Sequence, residues 1–258
     1  MLVIALCKGR FLEPSLDLLM QAGIRFPEDL ASSRKLIFNS DDQRFRAVLV
    51  KPADVATYVE YGAADAGIAG RDVVLESRAD VLQPLDLKFG YCKIAVAGVN
   101  GAAFPSSQGR GGREAAGVVS SAEMPGAGLT TPSAPPDRWL SAQPPILCEE
   151  GNVDHQFSRP TIRVATKYPR ITMDYYNARG IPVEIIPLSG SIELAPLIGL
   201  ADRIVDLVET GRTLKDNGLE IVEVITDSSA RLLINRAGYQ TKRDEVLRLI
   251  QALEKVIR

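Results

Sequence analysis

The sequence predicts an α/β protein of two lobes with a cleft between them. Short β-branched runs alternate with stretches of helical period along most of the chain, the pattern of sheets flanked by helices. Residues 101–160 break that pattern. They hold 8 Gly and 8 Pro, against 13 and 8 in the other 198 residues, and so split the elements into two sets. A chain of 258 residues, 46% hydrophobic and 24% charged, is also large enough for two cores.

The apolar run Leu2–Leu6 reads as a buried first strand. It ends at Cys7 as a lipoprotein leader would, but it is short, follows no basic segment and meets Lys8 at once. Glu13–Ala22 places Leu16, Leu19 and Met20 on one helical face, with Pro14 in the first turn. Lys35–Phe38 and Arg44–Val50 read as strands, and Asp54–Tyr61 as a helix between Pro52 and Gly62. Ala66–Ala69 is a strand, Asp72–Glu76 opens a helix, and Tyr91–Ala97 is a strand leading into the Gly/Pro-rich block. That block has no sustained period and reads as a weakly ordered insertion at about 101–158.

Beyond it, Ile162–Ala165 is a strand and Arg170–Ala178 a helix ending at Gly180. Val183–Ile186 is a strand, Ile192–Ile198 a short helix, Ile204–Val208 a strand, Thr213–Asn217 a turn and Leu219–Ile225 a strand. Ser228–Arg236 and Asp244–Ile257 read as closing helices. The alternation predicts largely parallel sheets.

Composition excludes several functions. Lys plus Arg is 30 and Asp plus Glu 32, a net charge of −2, so no global positive field draws in nucleic acid. Seven Phe, seven Tyr and one Trp make no stacking platform for single strands. Cys7, Cys92 and Cys148 are odd in number, widely spaced and without a CxxC, so neither a disulfide framework nor, with His155 alone, a zinc site is expected. That usage suits a reducing cytoplasm, and no apolar run approaches the ~20 residues of a membrane span. One histidine, inside the block, supports no Ser-His-Asp or Cys-His apparatus. There is no GxxxxGK[ST], and Gly109–Gly112 has no strand before it.

Five segments remain as candidates for chemistry. In Ile204–Leu214 a β-branched strand runs into Asp206, Glu209 and Thr210-Gly211-Arg212-Thr213. Backbone N–H groups and two hydroxyls can converge there on an anion, with Gly211 permitting close approach and the acids suiting ribose hydroxyls or Mg²⁺. The residue types alone fit an ordinary threonine-capped turn equally well. Ser189-Gly190-Ser191, after a strand and before a helix, offers N–H groups and hydroxyls, though plain N-capping explains it too. Lys8-Gly9-Arg10 follows the first strand, where ligands bind open α/β sheets, and its cations suit polyphosphate, unless the turn is merely solvated. Ala165-Thr166-Lys167-Tyr168-Pro169 repeats that arrangement in the second half, and Gly67-Ile68-Ala69-Gly70-Arg71-Asp72 is a similar strand-end turn in the first.

The span Glu193-x5-Gly199-x-Ala201-x2-Ile204-x-Asp206-Leu207-x2-Thr210-Gly211-x-Thr213-Leu214 resembles the signature of the ATP phosphoribosyltransferases at every fixed position. Supporting segments are Lys8-Gly9-Arg10, Tyr58-Val59-Glu60, Gly62–Asp65, Ala165–Pro169, Leu188–Ser191 and Ser228–Arg231, so the resemblance covers roughly 1–98 and 160–258. It departs from the family pattern at Cys7, where proline is usual, and in the insertion. The resemblance implies a two-lobed fold similar to type II periplasmic binding proteins. Lobe I would be 1–95 plus 227–258, and lobe II 96–226. The implied reaction joins N1 of ATP to the anomeric carbon of phosphoribosyl pyrophosphate, with Mg²⁺ on the pyrophosphate, at the head of histidine biosynthesis.

On this resemblance Lys8, Arg10 and Asp206 are catalytic. Asp206 and Glu209 hold ribose hydroxyls, and Thr210, Gly211 and Thr213 cradle the 5′-phosphate beside Arg212. Ser189, Gly190, Ser191, Lys8, Gly9 and Arg10 face pyrophosphate or triphosphate, with Lys167 across the cleft. It further implies the family's short form, which lacks a regulatory domain and needs a separate subunit related to histidyl-tRNA synthetase. The competing expectation is a non-catalytic, two-lobed binding or sensor domain.

Overall fold

The computed structural model describes residues 1–27, 30–99 and 161–258. The expectations for the Gly/Pro-rich block, with Cys148, His155 and Gly109–Gly112, lie outside the described residues. The rest forms two sheets, each with its own apolar cluster.

The first sheet has the order β2-β3-β1-β4-β11-β5. Its strands are β1 (Leu2–Cys7), β2 (Ile37–Asn39), β3 (Phe45–Val50), β4 (Ala66–Gly70), β5 (Val81–Asp86) and β11 (Ala230–Asn235). Its helices are α1 (Leu12–Gln21), α2 (Val55–Glu60), α3 (Arg71–Ser77), α7 (Arg236–Thr241) and α8 (Arg243–Ile257). β1 and β4 are the deepest strands, and α8 adds Val246, Leu249 and Leu253 to the same core at the helical spacing its sequence shows. Asp65, just before β4, receives the Val3 N–H at 2.9 Å and the Lys242 ammonium on both oxygens at 2.8 Å, tying β1 to the C-terminal helices.

The second sheet has the order β10-β6-β9-β7-β8. It comprises β6 (Cys92–Val99), β7 (Ile162–Thr166), β8 (Val183–Pro187), β9 (Arg203–Val208) and β10 (Leu219–Ser228), with α4 (Pro169–Ala178), α5 (Leu194–Leu197) and α6 (Arg212–Asp216). Among the described residues no helix is long and apolar enough to cross a membrane.

Three expectations are corrected. The sheets are mixed: β1–β3, β1–β4, β7–β8 and β7–β9 are parallel, and the other five described pairings are antiparallel. β2 and β3 follow one another through a short loop, and β6 and β11 enter their sheets from the other sheet and not by a helical crossover within it, so nothing holds these pairings to the parallel arrangement. Ser228–Arg236 is not a helix: its core is β11, paired antiparallel between β4 and β5. Leu232, Leu233 and Ile234 are consecutive and all buried, and a short uniform apolar run carries no period to separate a strand from a helix. β5 gave no strand signal because Pro84 interrupts it, and proline is tolerated there because β5 is an edge. The chain changes sheets between Asp86 and Cys92, ahead of the 95/96 boundary that the family resemblance implies, and again at Ser229. These two links lie side by side, with Leu87 N–H donating to Ala230 O and Ala230 N–H to Phe89 O, each at 2.9 Å.

A second set of contacts joins the sheets through their helices. The Glu76 carboxylate accepts the first N–H groups of α4, from Arg170 at 3.0 Å and Ile171 at 3.1 Å. In return the Arg170 guanidinium donates to the last carbonyls of α3, at Glu76 (3.3 Å) and Ser77 (2.7 Å). Each helix thus has its orphan terminal groups satisfied by the other. Arg78 then grips both oxygens of Asp174 at 2.7 Å.

Because Leu233 is fully buried between β4 and β5, Leu233→Ala should destabilise the protein by about 2–5 kcal/mol. A lowered urea midpoint with an unchanged slope, followed by circular dichroism, is the expected result.

Candidate active site

β9 lies between β6 and β7, and its carboxyl end opens into the Glu209-Thr210-Gly211 loop before α6. Gly211 caps α6 at φ +73°, a left-handed conformation that a side chain would strain. A cavity of about 270 Å³ sits over this loop, walled by Asp206, Glu209, Thr210, Gly211 and Thr213 and closed from the first sheet by Arg10. The Arg10 guanidinium meets the Glu209 carboxylate at 2.8 Å, 199 positions away in sequence. Both side chains are more than half exposed, so this ion pair marks position and adds little stability.

Asp206 accepts the N–H of Leu207 at 2.8 Å. Burial pushes its carboxyl above the usual range, while that hydrogen bond and Lys167 pull it down and Glu193 pushes it up. Asp206 is therefore an acceptor held facing a partly desolvated space, suited to sugar hydroxyls.

A second cavity of about 300 Å³ adjoins the first, and Arg10 and Leu207 wall both. Its lining is mainly apolar, from Phe11, Pro52, Val73, Tyr168 and Leu207, with Lys8 and Lys167 as cations. Asp72 stands in its wall, accepting the hydroxyl protons of Ser228 at 2.8 Å and Tyr168 at 3.2 Å. Burial and then the Asp72 charge hold the Tyr168 hydroxyl protonated far above the ordinary tyrosine range. Burial likewise pushes the Cys7 thiol up to about 11, so neither that wall thiol nor Cys92, raised for the same reason, is poised as a nucleophile.

The structure thus brings together Lys8, Arg10, Lys167, Asp206, Glu209, Thr210, Gly211 and Thr213. Other residues expected at the site line neither cavity. Arg212 pairs with Asp216 one turn along α6, at 3.7 Å. Ser189, Gly190 and Ser191 are exposed and line neither cavity. They do not open a helix: Ser191 is left-handed at φ +49°, and α5 starts only at Leu194 with no side-chain cap. Gly9 lines neither cavity, but its carbonyl starts the turn into α1 by accepting the Leu12 N–H at 2.9 Å. Sequence reasoning assigned no role to Asp72, Tyr168, Cys92 or Glu193, although each is in or beside a segment it had marked.

Comparison with known proteins places these features in context. The HisG (ATP phosphoribosyltransferase) family matches residues 51–122 and 139–255, reaching into the Gly/Pro-rich block from both sides. An ATP phosphoribosyltransferase of Syntrophotalea carbinolica is 43% identical over 98% of this chain and 94% of its own length. One from Bacillus velezensis is 42% identical over 99% and 95%. Among solved structures, the ATP phosphoribosyl transferase (HisG:HisZ) complex from Thermotoga maritima is similar at 31% identity and a TM-score of 0.71, covering 100% of this chain and 98% of that one. The periplasmic aliphatic sulphonate binding protein SsuA from Escherichia coli shares the fold alone, at 8% identity and a TM-score of 0.50 over 99% of this chain and 72% of that one. The architecture is accordingly two-lobed and of the type II binding-protein kind.

The raised Asp206 carboxyl takes up its proton at a higher pH than an ordinary acid. Affinity for any sugar ligand that Asp206 holds should therefore begin to fall on acidification above the usual carboxylate range, as the ionised acceptor is lost. Calorimetric titration across pH checks this, and Asp206→Asn should flatten that step.

Proposed function

The chain belongs to the ATP phosphoribosyltransferase family, the enzymes that open histidine biosynthesis by transferring a phosphoribosyl group to N1 of ATP, and we propose that its two adjoining cavities are the two substrate subsites. The family match sets aside the non-catalytic binding domain as a reading. One observation carries the assignment: three acids, two threonine hydroxyls and a glycine turn share a cavity that an arginine from the other sheet closes.

Phosphoribosyl pyrophosphate takes the first cavity. Its ribose hydroxyls meet Asp206 and Glu209, and its 5′-phosphate meets Thr210, the Gly211 backbone and Thr213. Its pyrophosphate faces Arg10, with Lys8 behind it. ATP takes the second cavity, its flat base against the apolar walls and its phosphates toward Lys8 and Lys167. Because Arg10 and Leu207 wall both cavities, the anomeric carbon and N1 face each other across them.

The reaction breaks the bond from the anomeric carbon to pyrophosphate and forms one to N1, through a state with oxocarbenium character. It needs orientation and charge stabilisation and no covalent nucleophile. Arg10 and Lys8 gain most as negative charge gathers on the departing pyrophosphate, while Asp206 holds the sugar still. Mg²⁺ belongs with the substrate pyrophosphate and would neutralise part of that charge. Among the described residues no group of three or more His, Cys, Asp or Glu could hold a metal.

We place the reaction in the cytoplasm, in keeping with the buried free thiols of Cys7 and Cys92 and with ATP as substrate. We further propose a hetero-oligomer with a regulatory subunit related to histidyl-tRNA synthetase, a reading supported by the similar Thermotoga complex.

Thr210→Ala should weaken phosphoribosyl pyrophosphate by on the order of 1.5–3 kcal/mol, roughly 10- to 150-fold, and leave ATP nearly unchanged. Calorimetric titration of each substrate reads this, and equal losses would overturn the subsite assignment.

The partner makes a separate prediction. The chain alone should be nearly inactive and insensitive to histidine in the near-UV assay of N1 ribosylation. Adding the subunit should restore both properties, whereas full activity and histidine inhibition without it would refute the hetero-oligomer.

A further inference from the structure

Arg10 is a long side chain at the mouth of both cavities, and such a side chain loses much rotamer freedom when it is fixed on a ligand. Two contacts hold it before any substrate arrives. One is the Glu209 carboxylate at 2.8 Å. The other is the ring of the next residue, Phe11, whose centroid lies 5.5 Å from the Arg10 guanidinium carbon. In the substrate complex proposed above, Glu209 turns to the ribose hydroxyls and that ion pair is given up. The ring then remains as the contact that keeps the guanidinium aimed at pyrophosphate.

The ring itself is held from behind. Phe11 is buried, and it packs edge-on against Phe89 with centroids 5.6 Å apart and planes at 76°. Phe89 and Gly90 belong to the link by which the chain first changes sheets. Gly90 is left-handed at φ +64°, and a β-carbon there would stand 2.4 Å from Phe11 Cε1. The absence of a side chain at 90 is thus what lets the ring lie where it does. The same ring thus touches both Arg10 and the inter-sheet link.

We propose that Phe11 is a positioning residue for phosphoribosyl transfer, its ring presenting the Arg10 guanidinium to the pyrophosphate and fixing that position relative to the link at Phe89–Gly90. The proposal rests on the assignment of Arg10 to pyrophosphate. A cation over an aromatic face is attracted by the ring quadrupole, and an aliphatic side chain of similar bulk offers no such attraction.

The experiment is a double-mutant cycle on the full chain, with the dissociation constant for phosphoribosyl pyrophosphate measured by calorimetry. Phe11→Leu should weaken binding about three- to tenfold in the native background and less than twofold in the Arg10→Gln background. Phe11→Tyr, which keeps the ring, should restore native affinity. Gly90→Ala, whose β-carbon would displace the ring, should reproduce the loss and its dependence on Arg10, and it stands in for Phe11→Leu if that variant does not fold. Equal losses in the two backgrounds would show a packing role alone and overturn the proposal. If Arg10→Gln binds phosphoribosyl pyrophosphate like the native chain, the Arg10 assignment fails and takes the proposal with it.

Discussion

The buried carboxylate of Asp72 holds the two sheets in register. It sits in the first turn of α3 and accepts hydrogen bonds from the hydroxyls of Ser228, at the end of β10, and of Tyr168, just before α4. Ser228 answers by accepting the Asp72 N–H at 3.0 Å, so the two residues close a small ring of hydrogen bonds at the second change of sheet. A buried carboxylate left without such partners costs far more than the bonds themselves contribute, so any shift of the sheets that opened this knot would be strongly opposed. The exchanged caps of α3 and α4 act on the same seam.

The placement of charge at the cleft depends on that seam. Lys8 and Arg10 come from the loop after β1, while Asp206, Glu209 and Lys167 come from the ends of β9 and β7. No local stretch of sequence can set the distance between these groups. It is set by the strand ends meeting across a fixed junction, and the 2.8 Å contact of Arg10 with Glu209 shows how close they come. Electrostatic catalysis works through such preorganisation, because groups already in place do not have to reorganise as charge develops.

Much of this was legible in the chain itself. The β9–loop–α6 segment could be read because strand, turn and hydroxyls are contiguous, and Gly211 is the one residue type that suits its left-handed turn. Two lobes could be read from the alternating elements, but the Gly/Pro-rich block does not divide them: it falls in sequence between β6 and β7 of the second sheet, and β11 returns to the first. β11 itself could not be read, since three consecutive buried apolar residues look alike as helix or strand, and what makes them a strand is the pair of neighbours, β4 and β5, on either side. The Asp72–Tyr168 contact was equally hidden: each residue was visible in a marked segment, but they are 96 positions apart. Ser189–Ser191 misled for a related reason, because a sequence that suits a cap does not ensure that a helix begins there.

The position of β11 also governs the order in which the protein can be completed during its synthesis. The first sheet begins with residue 2, yet its fifth strand in spatial order is the last to leave the ribosome, and it lies between β4 and β5. Until residues 230–235 emerge, those two strands face each other across a missing neighbour, each with an unpaired row of N–H and C=O groups. The second sheet has all its described strands by residue 228 and can close first. The N-terminal lobe is therefore the later one to mature, and its open edges are the nascent chain's period of greatest exposure to wrong pairing.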